Sequence, residues 1–279
     1  MAGGWHGYNT DLNKGVHEPF DKTEGAGILP EEQAFVKVVE FNNLGAAEKA
    51  VRTAKGDVAA VFLEPVLGAG GCRPADPEYL RGLRELADKH GFLLAFDEII
   101  TGFRVALGGA QQRYRVTPDI ASFGKIIGGG LPIGVVCGRK EVISRADPRS
   151  KDGFVSIGGG TFSENPLTMT AGLATVRYLR RNEKRVYSDL ERKGKRMRSG
   201  VDKALLAAGV SANTTGLGSL FLTNFESEGK DGKKRTSRYA LHMMSNGIFL
   251  LPGHPCAIST VHSDRDLERK IAVAGSFAG

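Results

Sequence analysis

Four short apolar runs in the first half of the chain constrain its fold more than any other feature: "DVAAVFLEP" (57–65), "FLLAFDE" (92–98), "DIASFGK" (119–125) and "GVVCGR" (134–139). Their apolar residues stand at consecutive rather than alternate positions, the pattern of strands covered on both faces. Between the first two lies "ADPEYLRGLRELADKHG", in which Leu80, Leu83, Leu86 and Ala87 recur at helical intervals. Asp76 suits the N-cap of that helix, Pro77 its first turn and Gly91 its end. Strand, helix, strand in this order predicts a mainly parallel α/β sheet, whose ligands gather where the strands end. A carboxylate withdrawn from water is costly unless it is paired. Asp97, at one strand end, therefore needs a cation, and Lys125 stands at another.

Helical patterns follow at 165–181, "NPLTMTAGLATVRYLRR", and at about 186–208, and "GSLFLTNF" (218–225) reads as a strand. A short helix near 236–246, the apolar "GIFLL" (247–251) and a last helix from about residue 264 complete a compact α+β segment. The expected organisation is a large α/β domain over residues 1–175 and a smaller C-terminal α+β domain over residues 176–279, divided inside the first long helix.

The formal charge of +7 raises the question of a nucleic-acid partner. Much of it lies in "RYLRRNEKRVYSDLERKGKRMR" (177–198), where leucines and tyrosines at helical intervals alternate with charges, as on solvated helix faces. No zinc-finger spacing or aromatic-rich RNA motif accompanies it, so no nucleic-acid partner is expected. The six histidines form no HExxH pattern, and no metal site is expected. No apolar run approaches the roughly 18 to 20 residues that span a bilayer. "MAGGWHGYNTDLN" lacks the basic start and apolar stretch of a signal peptide. Cys72, Cys137 and Cys256 are odd in number, far apart and in no CxxC pair, which predicts reduced thiols in a cytoplasmic protein.

Lys125, in "SFGKIIGGGLPIG", is no P-loop lysine: Asp119 stands where the first glycine belongs, and Ile126 replaces the Ser or Thr. "GAGGCR" (68–73) has Arg73 in place of the last glycine of a GxGxxG fingerprint. Taken alone, a lysine before Ile126 and Ile127 reads as a surface residue snorkelling from a turn. Its place on the strand-end rim changes that. An apolar pocket lowers a lysine's pKa and frees the amine for a Schiff base. A cofactor joining Lys125 to Asp97 needs an aldehyde and a basic ring nitrogen, and pyridoxal phosphate has both.

"FDEIITGFR", "TPDIASFGKIIGGGLPIG" and "GGTFSENPLTMTAG", together with "WHG" at residues 5–7, resemble the class III (fold-type I) pyridoxal-phosphate aminotransferases. The resemblance runs from residue 5 to about residue 275. It implies that Lys125 is the Schiff-base lysine and the catalytic acid and base, with Asp97 the partner of the ring nitrogen. Trp5, in the aromatic-His-Gly position, would stack on one ring face while Ile99 packs the other. Gly160 and Thr161 would reach the phosphate of the neighbouring subunit's cofactor, in a homodimer with shared sites. Glu64 of "LEP" matches a motif residue near the cofactor. The implied substrate is a small amino compound.

Within the family, Ile100 and "VHSDRD" (261–266) lie nearer the aminomutase branch, whereas Ala69 lies nearer the β-amino-acid aminotransferases. "LLPGHPCAIST" has neither the acidic residue of the first nor the arginine of some of the second, and His254 is its only titratable group. The aminomutase branch is the leading expectation, and an aminotransferase of ω- or β-amino acids with a keto-acid acceptor is the runner-up. Family members also carry, ahead of the aromatic-His-Gly motif, a region with a Ser-Gly-Thr-type loop for the cofactor phosphate. This chain starts four residues before Trp5. Three expectations follow: a fragment of an enzyme, a site completed by a separate chain supplying that region, or a truncated non-catalytic paralogue.

Overall fold

The computed structural model describes residues 1–7, 9–151, 153–156, 159–225 and 230–278, with only the backbone at 230 and 231. Helices α1 (Pro30–Gln33) and α2 (Leu44–Thr53) lead into β1 (Ala60–Leu63). A small hairpin of β2 (Val66–Leu67) and β3 (Arg73–Pro74) precedes α3 (Pro77–His90), β4 (Leu93–Glu98), α4 (Gly109–Tyr114) and β5 (Ile120–Gly124). A 3-10 turn over Lys125–Gly128 leads to β6 (Gly134–Gly138), α5 (Lys140–Ile143) and the long helices α6 (Pro166–Arg181) and α7 (Glu183–Ala207). Then come β7 (Ala212–Thr215), β8 (Leu220–Phe225), α8 (Lys230–Ser245), β9 (Cys256–Ala257) and α9 (Asp264–Gly275).

The four apolar runs form one sheet in the order β1-β4-β5-β6. The first three strands are parallel, with Leu63 beside Phe96 and Asp97 beside Ser122. β6 is antiparallel to β5. Only residues 125–133 join the two, too few for the crossover a parallel partner needs. Phe96 and Leu94 are fully buried in the sheet, and Leu80 and Leu83 of α3 are fully buried against it. Each contributes roughly 1.5–3 kcal/mol of transfer free energy. Gly91 ends α3 in the left-handed region (φ 76°), as its position predicts. Asp76 occupies the N-cap position but makes no side-chain cap bond. Its backbone N–H instead donates to Asn42 Oδ1 (3.0 Å), tying the helix start to the loop before α2.

The second core lies among α7, α8, α9 and the antiparallel sheet β7-β8-β9, with Val201, Leu205, Met243 and Leu267 buried in it. Helix α8 starts earlier than its apolar pattern predicts, and "GIFLL" forms no strand. The strand that pairs with β8 is Cys256–Ala257 instead, Cys256 beside Phe221. The basic stretch lies on α6 and α7, and much of its charge is partnered. Arg192 and Arg196 both reach Asp264 (3.1 and 2.9 Å), and Lys193 reaches Asp189 (2.7 Å). No described helix is long and apolar enough to cross a membrane. The three cysteines are free.

Candidate active site

Glu64, Asp97 and Lys125 come together at the carboxyl ends of β1, β4 and β5, three adjacent parallel strands. Glu64 follows the last residue of β1, Asp97 is the penultimate residue of β4, and Lys125 follows β5 directly. Parallel alignment brings these ends to one edge, where an α/β sheet receives ligands.

Lys125 holds a left-handed backbone conformation (φ 51°), which a residue with a side chain adopts only when its surroundings impose it. The turn that follows Lys125 packs closely on α6. A Cβ on Gly172 would collide with the Ile127 carbonyl oxygen, and one on Gly129 with that of Ala171, so helix and turn meet backbone to backbone. Asn165 caps α6 by accepting from the N–H groups of Leu167 (3.0 Å) and Thr168 (3.3 Å). Burial lowers the Lys125 pKa, Asp97 and Glu64 oppose that shift, and Arg104 adds to it. Residue by residue Lys125 is nonetheless exposed.

Both oxygens of Asp97 are held. Oδ1 accepts from Ile99 N (3.1 Å) and Ser122 Oγ (3.3 Å). Oδ2 lies 3.0 Å from His6 Nδ1. Ile99 faces the lysine turn, its Cγ2 set 3.4 Å from where a Cβ on Gly124 would stand. Glu64 accepts from Trp5 N (2.7 Å) and Gly68 N (2.9 Å), fixing the "WHG" segment to the end of β1. Trp5 itself is half-buried. Gly160 and Thr161 are not brought to this cluster. They lie exposed in a turn closed by a bond from Gly160 N to Ser163 Oγ (2.9 Å). Two residues of the motifs escaped the sequence reading as functional groups. His6 stands in "WHG" and touches Asp97. Arg104 stands in "TGFR", donates Nε to Ile100 O (2.8 Å), and its charge pushes down the Lys125 pKa.

Burial pushes the Glu64 carboxyl from 4.5 up to about 7, against the pull of its two N–H donors. The folded state then holds a proton that the unfolded chain has lost, so stability falls as pH rises through that window. The full shift corresponds to on the order of 3 kcal/mol. Urea unfolding should show this loss between about pH 5 and 7.5, and Glu64→Gln should flatten it. An unchanged slope in the variant would assign the titration to another group.

The aminotransferase class-III family model matches residues 19–263. The chain is 36% identical to a glutamate-1-semialdehyde 2,1-aminomutase from Caldicellulosiruptor saccharolyticus, over 100% of this chain and 66% of that protein. It is 39% identical to another from Natranaerobius thermophilus, over 85% of this chain and 56% of the relative. Among solved structures it superposes on an omega-transaminase from Sphaerobacter thermophilus with a TM-score of 0.89 at 30% identity, covering 99% of this chain and 66% of that one. A beta-phenylalanine aminotransferase from Variovorax paradoxus gives 0.82 at 28% identity, over 99% and 62%. The fold is that of a fold-type I transferase of the α/β class. The chain belongs to the class III aminotransferases. It spans about two thirds or less of the length of the curated relatives it matches.

Pyridoxal 5'-phosphate is the cofactor of this family, and the side chains at the strand ends fit it. A buried carboxylate with both oxygens oriented suits a protonated ring nitrogen, and a lysine of lowered pKa suits an aldehyde.

Proposed function

We propose that this chain is the cofactor-binding and C-terminal part of a pyridoxal-phosphate enzyme of amino-group transfer, a glutamate-1-semialdehyde 2,1-aminomutase. The reading rests on Asp97 and Lys125 standing on adjacent strand ends, in a chain 36–39% identical to proteins of that name. When bound, the cofactor supplies an aldehyde and an electron-withdrawing ring. Asp97 would hold the ring nitrogen in its protonated form. Lys125 would hold the cofactor through its aldehyde and would carry protons at the substrate, with burial lowering the pKa of its amine. Trp5 and Ile99 would hold the two faces of the ring. Glu64 anchors the Trp5 backbone beside it.

Gly160 and Thr161 serve the phosphate of a neighbouring subunit in a homodimer. Support comes from Phe154, Val155, Phe162, Leu167, Met169 and Leu173, large apolar side chains exposed on either side of that turn. The division into a large domain over 1–175 and a small domain over 176–279, and residence in the cytoplasm, belong to the same proposal.

An aminomutase returns the amino group to the carbon skeleton it came from and needs no second keto acid. The complete enzyme should convert glutamate-1-semialdehyde to 5-aminolevulinate with no acceptor added. Strict dependence on a keto acid would move the assignment to an aminotransferase of ω- or β-amino acids, the activities named for two solved structures of this fold. No turnover under either condition, with cofactor bound, would leave a non-catalytic paralogue.

A further inference from the structure

The loop at residues 68–72, between β2 and β3, meets three parts of the molecule. Beside the site, Gly68 N donates to Glu64 Oε2 (2.9 Å), on the carboxylate that also receives Trp5 N. A Cβ on Gly68 would stand 2.7 Å from Ile100 Cδ1, so the loop backbone lies close against the residue after Ile99. On a second side, a Cβ on Gly70 would collide with the Gly3 carbonyl oxygen, two residues before Trp5. On the third, the C-terminal sheet holds the loop. Thr215 Oγ1, at the end of β7, donates to the Gly71 carbonyl oxygen. Asn224 Nδ2, on β8, donates to Thr215 Oγ1 (2.8 Å) and to the same carbonyl (3.2 Å).

A half-buried carbonyl needs donors, and the short β2-β3 ladder, which pairs Val66 with Pro74 and Leu67 with Arg73, does not reach Gly71. The Gly71 oxygen is the nearest acceptor for the Thr215 hydroxyl, ahead of Leu222 O at 3.4 Å. The Asn224 amide donates to that hydroxyl in turn, so the two side chains form a relay aimed at one oxygen. Among the described residues, every hydrogen bond from the C-terminal sheet to the loop ends on this oxygen. β7 and β8 are joined by a backbone ladder of their own, from Ala212 beside Phe225 to Thr215 beside Leu222. The sheet therefore keeps its pairing without the two side chains, whereas the loop's hold on the sheet depends on them.

We infer that Thr215 and Asn224 are positioning residues of the active site: by fixing the Gly71 carbonyl they hold the 68–72 loop, and through it Glu64 and the Trp5 segment, against the strand ends. The C-terminal sheet thereby sets the place of an aromatic side chain from the opposite end of the chain. The inference rests on the reading that Trp5 lines the cofactor ring. The link from Thr215 to Trp5 is a property of the chain without cofactor.

The test has two arms. Trp5 is the only tryptophan of the chain, so its fluorescence reads that segment directly. In the full chain without cofactor, Thr215→Val keeps the side-chain shape, removes the hydroxyl and should open Trp5 to quenching by acrylamide. Asn224→Asp, which loses the amide donor, should act in the same direction, and Thr215→Ser should restore the parent value. Val201→Ala, which weakens the second core, should leave the quenching unchanged. Unchanged quenching in Thr215→Val, no rescue by serine, or an equal rise in Val201→Ala overturns the inference whatever the cofactor does. In the second arm, pyridoxal phosphate is titrated into the same proteins and followed by visible absorbance. Affinity should fall about fivefold in Thr215→Val, the equivalent of one net hydrogen bond, and return to within about twofold of the parent in Thr215→Ser. Equal binding by Thr215→Val overturns the positioning role. Trp5→Ala serves as the control: unchanged cofactor affinity there would reject the reading of Trp5 instead, with the link from Thr215 to the segment unaffected.

Discussion

Lys125→Ala is expected to abolish covalent capture of pyridoxal phosphate and to lower turnover by several orders of magnitude, because attachment and proton transfer are lost together. Asp97→Ala should fail differently. It keeps the amine of Lys125 and removes the carboxylate whose oxygens are aligned by His6, Ile99 and Ser122. Without that charge the ring nitrogen loses its proton and the ring withdraws electrons poorly, so the cofactor attaches while proton abstraction stalls. Borohydride reduction followed by mass measurement separates the two: cofactor should be fixed on Asp97→Ala and not on Lys125→Ala. Label persisting in the lysine variant would place the attachment elsewhere and overturn the central assignment.

The largest expected effect on stability falls on Glu98, the residue beside Asp97. Glu98 is fully buried, and its oxygens accept from Thr101 Oγ1 (2.9 Å), Gln111 N (3.1 Å), Gln111 Nε2 (3.1 Å) and Ala110 N. Two of these donors are backbone groups at the start of α4, so the carboxylate caps from a distance a short helix that has no side-chain cap of its own. Gly109 makes the approach feasible: its φ is 72°, and a Cβ there would collide with the Glu98 carboxylate. Glu98→Ala strands these donors inside the protein and leaves a cavity. The expected loss is about 3–5 kcal/mol, read as a shift in the urea midpoint. Glu98→Gln keeps one carbonyl acceptor and should lose less. A midpoint shift in Glu98→Ala below about 0.5 kcal/mol would mean that water or a rearranged α4 satisfies the stranded groups.

Adjacent carboxylates thus have separate roles, which spacing along the chain alone does not distinguish. Successive residues of a strand point to opposite faces. Asp97 faces the ligand edge with His6, Ser122 and Lys125, and Glu98 faces the interior with α4. The apolar runs predicted which segments form the sheet, because consecutive buried residues are a local signal. The antiparallel course of β6 was less legible, since it depends on a connection too short for a crossover. β9 was missed altogether: it is two residues long, and only its bonds to β8 make it a strand.

By itself, the sequence determined the identities and order of the strand-end groups, the helix stripe of Leu80, Leu83 and Leu86, and the motif set that marks a class III aminotransferase. These rest on residue type and periodicity, which the chain carries locally. Only the tertiary structure decided that His6, 91 residues from Asp97, is the group touching its carboxylate. It likewise decided that Lys125 takes a left-handed backbone and that the turn after it packs on α6 at Gly172 and Gly129. It also decided that Glu64 holds the segment of Trp5. Such contacts join residues far apart in sequence, and their strength comes from burial and geometry that arise only when the strands align and their ends meet.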